Sequence, residues 1–343
     1  MQRVLSLLML LLICLAGAVG GGWLYLNSMM DSPGSRNEPV SLEVAPGSSV
    51  RGIAATLEQN DVVGFSSLFE VYVRARGLAT RIQAGEYLIA ETDSPRDVLQ
   101  KMVNGRVLLH SVTLVEGWTY WEMLARLAEE EVLTDDVSGL GPEELMSFMG
   151  ASGGHPEGRF FPDTYHVARG TAASTVLRLA MQRMNDELAQ AWSARDPELP
   201  LDDPYQVLIL ASVIEKETAL ASERPTIAGV FSRRLQKRMR LQTDPTVIYG
   251  LGQSFDGNLR KADLERDGPY NTYTRRGLPP TPICLPGREA LLAAARPAEG
   301  KALYFVATGE DDGSHYFSAT LEEHNQAVAR YLKKLRQKRR EQR

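Results

Sequence analysis

Residues 4–26, VLSLLMLLLICLAGAVGGGWLYL, carry no charge, and at a rise of about 1.5 Å per residue such a run can cross a hydrocarbon core of about 30 Å. The pattern predicts a single membrane helix. Arg3 is the only charge before it and Asp31 the first after it. This bias puts residues 1–3 in the cytoplasm and the bulk of the chain outside, with Trp23 and Tyr25 at the outer interface. Cleavage after Ala18 as a secretory signal competes with this reading, although the apolar run continues past that point. Lipid attachment at Cys14 fits less well, because the bulky Ile13 precedes it. Residues 27–39, NSMMDSPGSRNEP, have no periodicity and read as a linker.

Beyond the linker the pattern changes to short alternating and helical segments. VSLEV (40–44) alternates as a strand, and Ser49 caps a helix whose Val50, Ile53, Ala54 and Leu57 share one face. FSSLFEVYVRARG predicts a second helix, IQAGEYLIA (82–90) a strand, and SPRDVLQKMVNG a helix with Ser94 as cap and Pro95 in its first turn. The PGSSVRGIAATLEQN and AGEYLI pieces resemble a LysM module, which implies a small subdomain over 40–105, either glycan-binding or purely structural.

The rest, 106–330, predicts a larger mixed domain. VLLHSVTLVEG (107–117) reads as a strand pair entering a helix at Trp118, EGRFFPDTYHV (157–167) as an aromatic-rich loop, and AASTVLRLAMQRMNDELAQAWSA as a long amphipathic helix. Strand and turn signals alternate from LQTDPTVIYGLG (241–252) to ALYFVATG and SHYFSAT. The expected fold class is α+β: one membrane helix, a small LysM-like subdomain and a larger α+β domain. Residues 331–343 form a basic tail. A tail of this kind reads as a solvated helix end, with anionic lipid or acidic peptide stems as the alternative contact.

A net charge of −5 over 343 residues argues against nucleic acid as a partner, since tracking phosphates needs a basic face. Two cysteines, one of them inside the apolar run, cannot form a disulfide framework. The five histidines are scattered without metal-ligand spacing, so neither a metal nor another cofactor is expected.

LILASVIEKETALASER (208–224) places two carboxylates at the end of a greasy helix. At about 100° per residue, Glu215 shares a face with Leu208, Ala211 and Ser212, whereas Glu217 points about 200° away, toward solvent. A carboxyl against an apolar wall has its pKa raised and can serve as a general acid. The alternative is a structural glutamate neutralised by Arg233 or Arg234. The loops that follow supply hydroxyls, amides and tyrosine rings suited to a sugar: Gln242, Asp244, Tyr249, Asn271 and Tyr273 are the candidate substrate-binding residues.

LASVIEKETA, LQTDPTVIYGLG, YNTYTRRGLPPTPI, FFPDTY and HYFSATLEEHNQAV together resemble the membrane-anchored endolytic murein transglycosylases, the MltG or YceG-like family. Leu285 and Arg159 depart from the family pattern. The resemblance implies cleavage of the β-1,4 bond between N-acetylmuramic acid and N-acetylglucosamine inside peptidoglycan strands. It also implies a catalytic glutamate at Glu215, an extracytoplasmic domain on the inner membrane, and cell-wall synthases as neighbours. One carboxyl would suffice, protonating the glycosidic oxygen and then taking the proton of the substrate's C6 hydroxyl. If Asp244 faces it, a water-using muramidase becomes the alternative. A non-catalytic peptidoglycan-binding anchor is the third.

Overall fold

The computed structural model describes residues 2–34, 36–151 and 153–341. Helix α1 (Gln2–Met30) contains the apolar run, and its stretch Arg3–Met30 is long and apolar enough to cross a membrane. Residues 27–30, expected in the linker, are its last turn. The helix continues because Leu26 and Met30 are buried in the core of the first compact unit, which offsets the cost of ordering one more turn. It stops just before Ser32–Pro33, where the proline disfavours helical backbone at the residue before it.

That first unit comprises Met1–His110 and His166–Gly170. Strand β1 (Val40–Val44) turns its Leu42 and Val44 inward. Helix α2 (Val50–Gln59) buries Val50, Ile53, Ala54 and Leu57, with Ser49 Oγ accepting from Gly52 N at 3.1 Å. Helix α3 (Ser66–Ala75) follows, then β2 (Gly85–Ile89), antiparallel to β1 with Leu42 opposite Tyr87. Helix α4 (Pro95–Val103) starts with a reciprocal Ser94/Asp97 capping box. The unit reaches beyond 40–105 because Glu86 on β2 gathers distant donors. Its carboxyl accepts from Ser41, His110 (2.7 Å) and Arg169 (3.0 Å), and these hydrogen bonds hold its pKa down at about 2.

The second unit comprises Ser111–Tyr165 and Thr171–Arg343. From residue 109 onward the elements in chain order, whichever unit holds them, are β3 (Leu109–Thr113), α5 (Tyr120–Ala128), β4 (Leu133–Thr134), α6 (Pro142–Phe148), β5 (Thr164–Ala168), β6 (Thr171–Ala172) and α7 (Ala173–Ser193). They are followed by α8 (Pro204–Glu217), α9 (Arg224–Gln236), α10 (Asp244–Leu251), α11 (Lys261–Glu265), α12 (Arg288–Ala295), β7 (Tyr304–Ala307), β8 (His315–Ser318) and α13 (Leu321–Glu341). Strand β3 pairs with β5, β4 runs parallel to β6, and β7 and β8 form an antiparallel hairpin.

Where the sequence offers a polar loop among strand and turn signals at 241–252, the structure has helix α10. The Asp244–Pro245 pair starts it, with proline in the first turn and an acid facing the helix N-terminus, and this outweighs the β-branched Thr246, Val247 and Ile248. Helix α8 is the centre of the core: every residue from Val207 to Ile214 is buried, packed by α7, α9 and the alanine-rich α12. On α9, Gly229 allows close approach, since a Cβ there would lie 2.3 Å from the Ala298 carbonyl oxygen. The basic end of α13 is not simply solvated: Lys334 pairs with Glu310, and Lys338 with Asp311 at 2.6 Å.

Candidate active site

The C-terminal turn of α8 carries Glu215, Lys216 and Glu217 out of the core. The structure reverses the orientation expected for the two carboxylates. Glu215 is held at both carboxyl oxygens: Oε1 accepts from Arg224 Nη2 at 2.9 Å and Oε2 from Gly287 N at 3.0 Å. The side chains of Glu215 and Arg224 are 6% and 10% exposed. Burial raises the Glu215 pKa, and the Gly287 N–H and the Arg224 charge oppose that rise. Gly287 can reach the carboxyl because it has no side chain; a Cβ would meet Glu116 Oε1 at 1.9 Å. The neutralising cation is thus Arg224. Arg233 instead donates to the Ala302 and Ala298 carbonyls, and Arg234 to those of Leu303 and Leu241.

Glu217 does not face open solvent. It lines a groove of about 500 Å³ together with Gln242, Asp244, Tyr273, Tyr304 and His315. Its Oε2 accepts from Thr243 Oγ1 at 2.6 Å, and its pKa is raised to about 7. Burial is the main cause and the neighbouring Asp244 adds to it, while the Thr243 hydrogen bond and the charges of His315 and Arg234 pull the other way. A helical wheel misplaces the two carboxylates for a physical reason. Helix α8 is apolar on all sides and buried on all sides, so it has no solvent face against which a carboxylate could be placed.

The loops before and after α10 complete the groove. Gln242 adopts a left-handed backbone, φ 50°, and its N–H donates to the Thr272 carbonyl at 3.2 Å, tying the 242–244 segment to the 271–273 segment. Thr243 N–H donates to Thr272 Oγ1 at 3.1 Å across the same junction. Tyr273 donates its hydroxyl to Asp244 Oδ1 at 2.5 Å, which fixes both groups at the groove. Of the six residues singled out from the sequence, Gln242, Asp244 and Tyr273 therefore line the groove with Glu217. The other three, Glu215, Tyr249 and Asn271, do not. Asn271 is a loop organiser: its Nδ2 donates to the carbonyls of Asp263, Leu264 and Arg266, and its Oδ1 accepts from Tyr273 N at 2.8 Å. Tyr249 packs on Tyr270, close to Glu157, a buried carboxyl whose pKa is pushed to about 8 by desolvation.

The hairpin β7–β8 and helix α13 supply groove residues that motif reading passes over. Glu223 binds His315 twice, accepting from its backbone N at 2.9 Å and meeting its Nδ1 at 2.7 Å. His324 stacks on Tyr304 with ring centroids 5.2 Å apart, and Arg234 lies over the same tyrosine. The segment HYFSATLEEHNQAV holds the signal, but its histidines register only as possible metal ligands when spacing is the criterion. A groove with one high-pKa carboxyl, a tyrosine-held aspartate and several rings is suited to acid catalysis on a polyhydroxylated substrate.

Residues 42–330 match the YceG-like family. A protein named endolytic murein transglycosylase from Bacillus subtilis is 31% identical over 332 residues, covering 92% of this chain and 91% of that protein. A protein of the same name from Streptococcus pneumoniae is 27% identical over 364 residues, covering 96% of this chain and 65% of its own greater length. The crystal structure of a yceG-like protein from Listeria monocytogenes aligns with a TM-score of 0.53 at 31% identity, over 85% of this chain and 99% of that one. On the extent of these matches, the chain belongs to the YceG-like family.

Proposed function

We propose that the chain is an endolytic murein transglycosylase, cutting the β-1,4 bond between N-acetylmuramic acid and N-acetylglucosamine within peptidoglycan strands, and that Glu217 is its acid and base. The observation that carries this reading is the Glu217 carboxyl, lining the groove with its pKa raised to about 7. At neutral pH much of it is protonated and can give its proton to the glycosidic oxygen as the bond to the sugar's C1 breaks. The carboxylate left behind then takes the proton of the substrate's C6 hydroxyl while that oxygen closes on C1. The products are a strand with a new free hydroxyl end and a strand ending in 1,6-anhydro-N-acetylmuramic acid. Asp244, held by the Tyr273 hydroxyl, offers negative charge to the oxocarbenium-like transition state. Gln242 and Tyr304 supply an amide and a ring for the sugar.

In the same reading α1 anchors the protein in the inner membrane with both compact units on the outer side, where new strands are made and cell-wall synthases work. A second reading has a specific observation behind it: Asp244 shares the groove, so a hydrolase with two carboxyls would send water to C1 instead. Mass spectrometry of the glycan ends released by the full chain in detergent separates the two. Anhydro ends that disappear in Glu217→Gln, with the fold retained, are the expected result. Reducing ends point to the hydrolase, and an active Glu217→Gln removes Glu217 from the chemistry.

A further inference from the structure

Helix α3 runs back along α1. Its first turn lies by the end of α1, where Phe65, Leu68 and Phe69 share a small apolar pocket with Met29 and Met30. Its last turn lies by Trp23: Tyr72 stacks on that indole with ring centroids 5.8 Å apart, and the Arg76 guanidinium is 5.5 Å from the Trp23 ring centroid. From Met29 back to Trp23 is about 9 Å along a helix axis, so α3 descends by that much toward the apolar run. Trp23 closes that run together with Tyr25 and Leu26. With α1 across a bilayer, the end of α3 is carried to the depth of the lipid headgroups, where interfacial aromatics sit.

The charge at that end fits the location. RARGLATR, residues 74–81, holds three arginines and no acid. Arg74 is taken by Glu70 at 2.9 Å. Arg76 and Arg81 are exposed, and neither side chain has an ion-pair partner among the described residues. Beside Arg76 opens a groove of about 340 Å³, lined also by Arg96, Tyr72, Leu78, Leu99 and Val103. It joins the Arg76 guanidinium to an apolar wall, as a phosphate carrying a glyceryl ester requires, while the Arg96 guanidinium in its lining is already paired with Asp31. Guanidinium groups present paired donors to phosphate oxygens.

We propose that this groove and the 76–81 loop form a headgroup site for an anionic phospholipid of the membrane that α1 crosses. The proposal rests on the reading of α1 as a membrane helix and is independent of the chemistry at Glu217. Bound there, the lipid fixes the first unit against the bilayer by a contact separate from the anchor.

The test uses the full chain in nanodiscs of equal parts phosphatidylcholine and phosphatidylglycerol, released into a native mass spectrometer with its retained lipids. Wild type is expected to retain phosphatidylglycerol in preference. Arg76→Gln with Arg81→Gln should lower that preference by up to about 30-fold, from about 1 kcal/mol for each arginine near an anionic surface. Arg238→Gln, an exposed arginine of the second unit, should leave it unchanged. Equal retention of both lipids by wild type, or an undiminished preference in the double variant, overturns the site. Carbonate extraction separates this from failure of the anchor. A chain washed out by carbonate overturns the membrane reading and the site together, whereas a resistant chain without the preference overturns the site alone.

Discussion

Two glutamates separated by a single lysine have opposite surroundings. Glu215 and Arg224 are a nearly buried pair, and removing one member leaves the other charge without compensation. Glu215→Ala is expected to destabilise the second unit by about 3 kcal/mol, read as a lowered urea midpoint. Whatever fraction remains folded should keep its Glu217 chemistry. Glu217 is expected to set the alkaline limb of activity. The reaction begins from its protonated form, so the rate should fall above about pH 7, approaching tenfold per pH unit. A pH profile that stays flat from 6 to 9 would contradict that role. The sign for stability follows from the same shift. The folded state keeps a proton that the unfolded chain releases above 4.5, so this group's contribution falls as pH rises from 4.5 through 7. A carboxylate on a greasy helix is legible in the sequence as a candidate acid. Which of the two faces the groove is not, because it depends on where the helix ends relative to the loops around it.

At the scale of elements, capping residues were the most legible feature. Ser49 and Ser94 cap α2 and α4 where the sequence pattern predicts, since a side-chain oxygen opposite a free N–H is a local interaction. Helix α10 is not legible from local pattern because its interior is β-branched, and its short length is stabilised by bonds such as Thr246 Oγ1 to the Thr243 carbonyl at 2.8 Å. Asn271 shows a different limit: an amide in a polar loop looks like a sugar reader until its partners are seen. Its amide hydrogen bonds go to the 263–274 loop itself. Asn271→Ala should therefore act through the loop, costing about 1 kcal/mol by leaving part-buried carbonyls without donors. In steady-state assays on peptidoglycan it should lower kcat by releasing Tyr273, the partner of Asp244. A variant with full activity and unchanged stability would restore Asn271 to the direct substrate contacts.

On the scale of the whole molecule, α1 is both a candidate membrane span and part of a core. Leu26 and Met30 are 6% and 3% exposed, and Asp31 pairs with Arg96. A chain starting at residue 32 should therefore be less stable than one starting at residue 22 by about 3–5 kcal/mol, the burial of two large apolar side chains. Thermal unfolding of the first unit in the two truncations checks this, and equal melting would mean that the last turns of α1 contribute nothing to the core. Sequence alone determined the apolar N-terminal helix, the α+β class, the starts of α2 and α4, and the family resemblance. Each of these rests on local periodicity, on short-range hydrogen bonding, or on long ordered motifs. Tertiary structure decided which glutamate faces the groove, that Arg224 neutralises the other, and that β7, β8 and α13 bring Tyr304, His315 and His324 to the site. Those outcomes depend on contacts between residues dozens of positions apart, made in a core whose central helix is buried on every side.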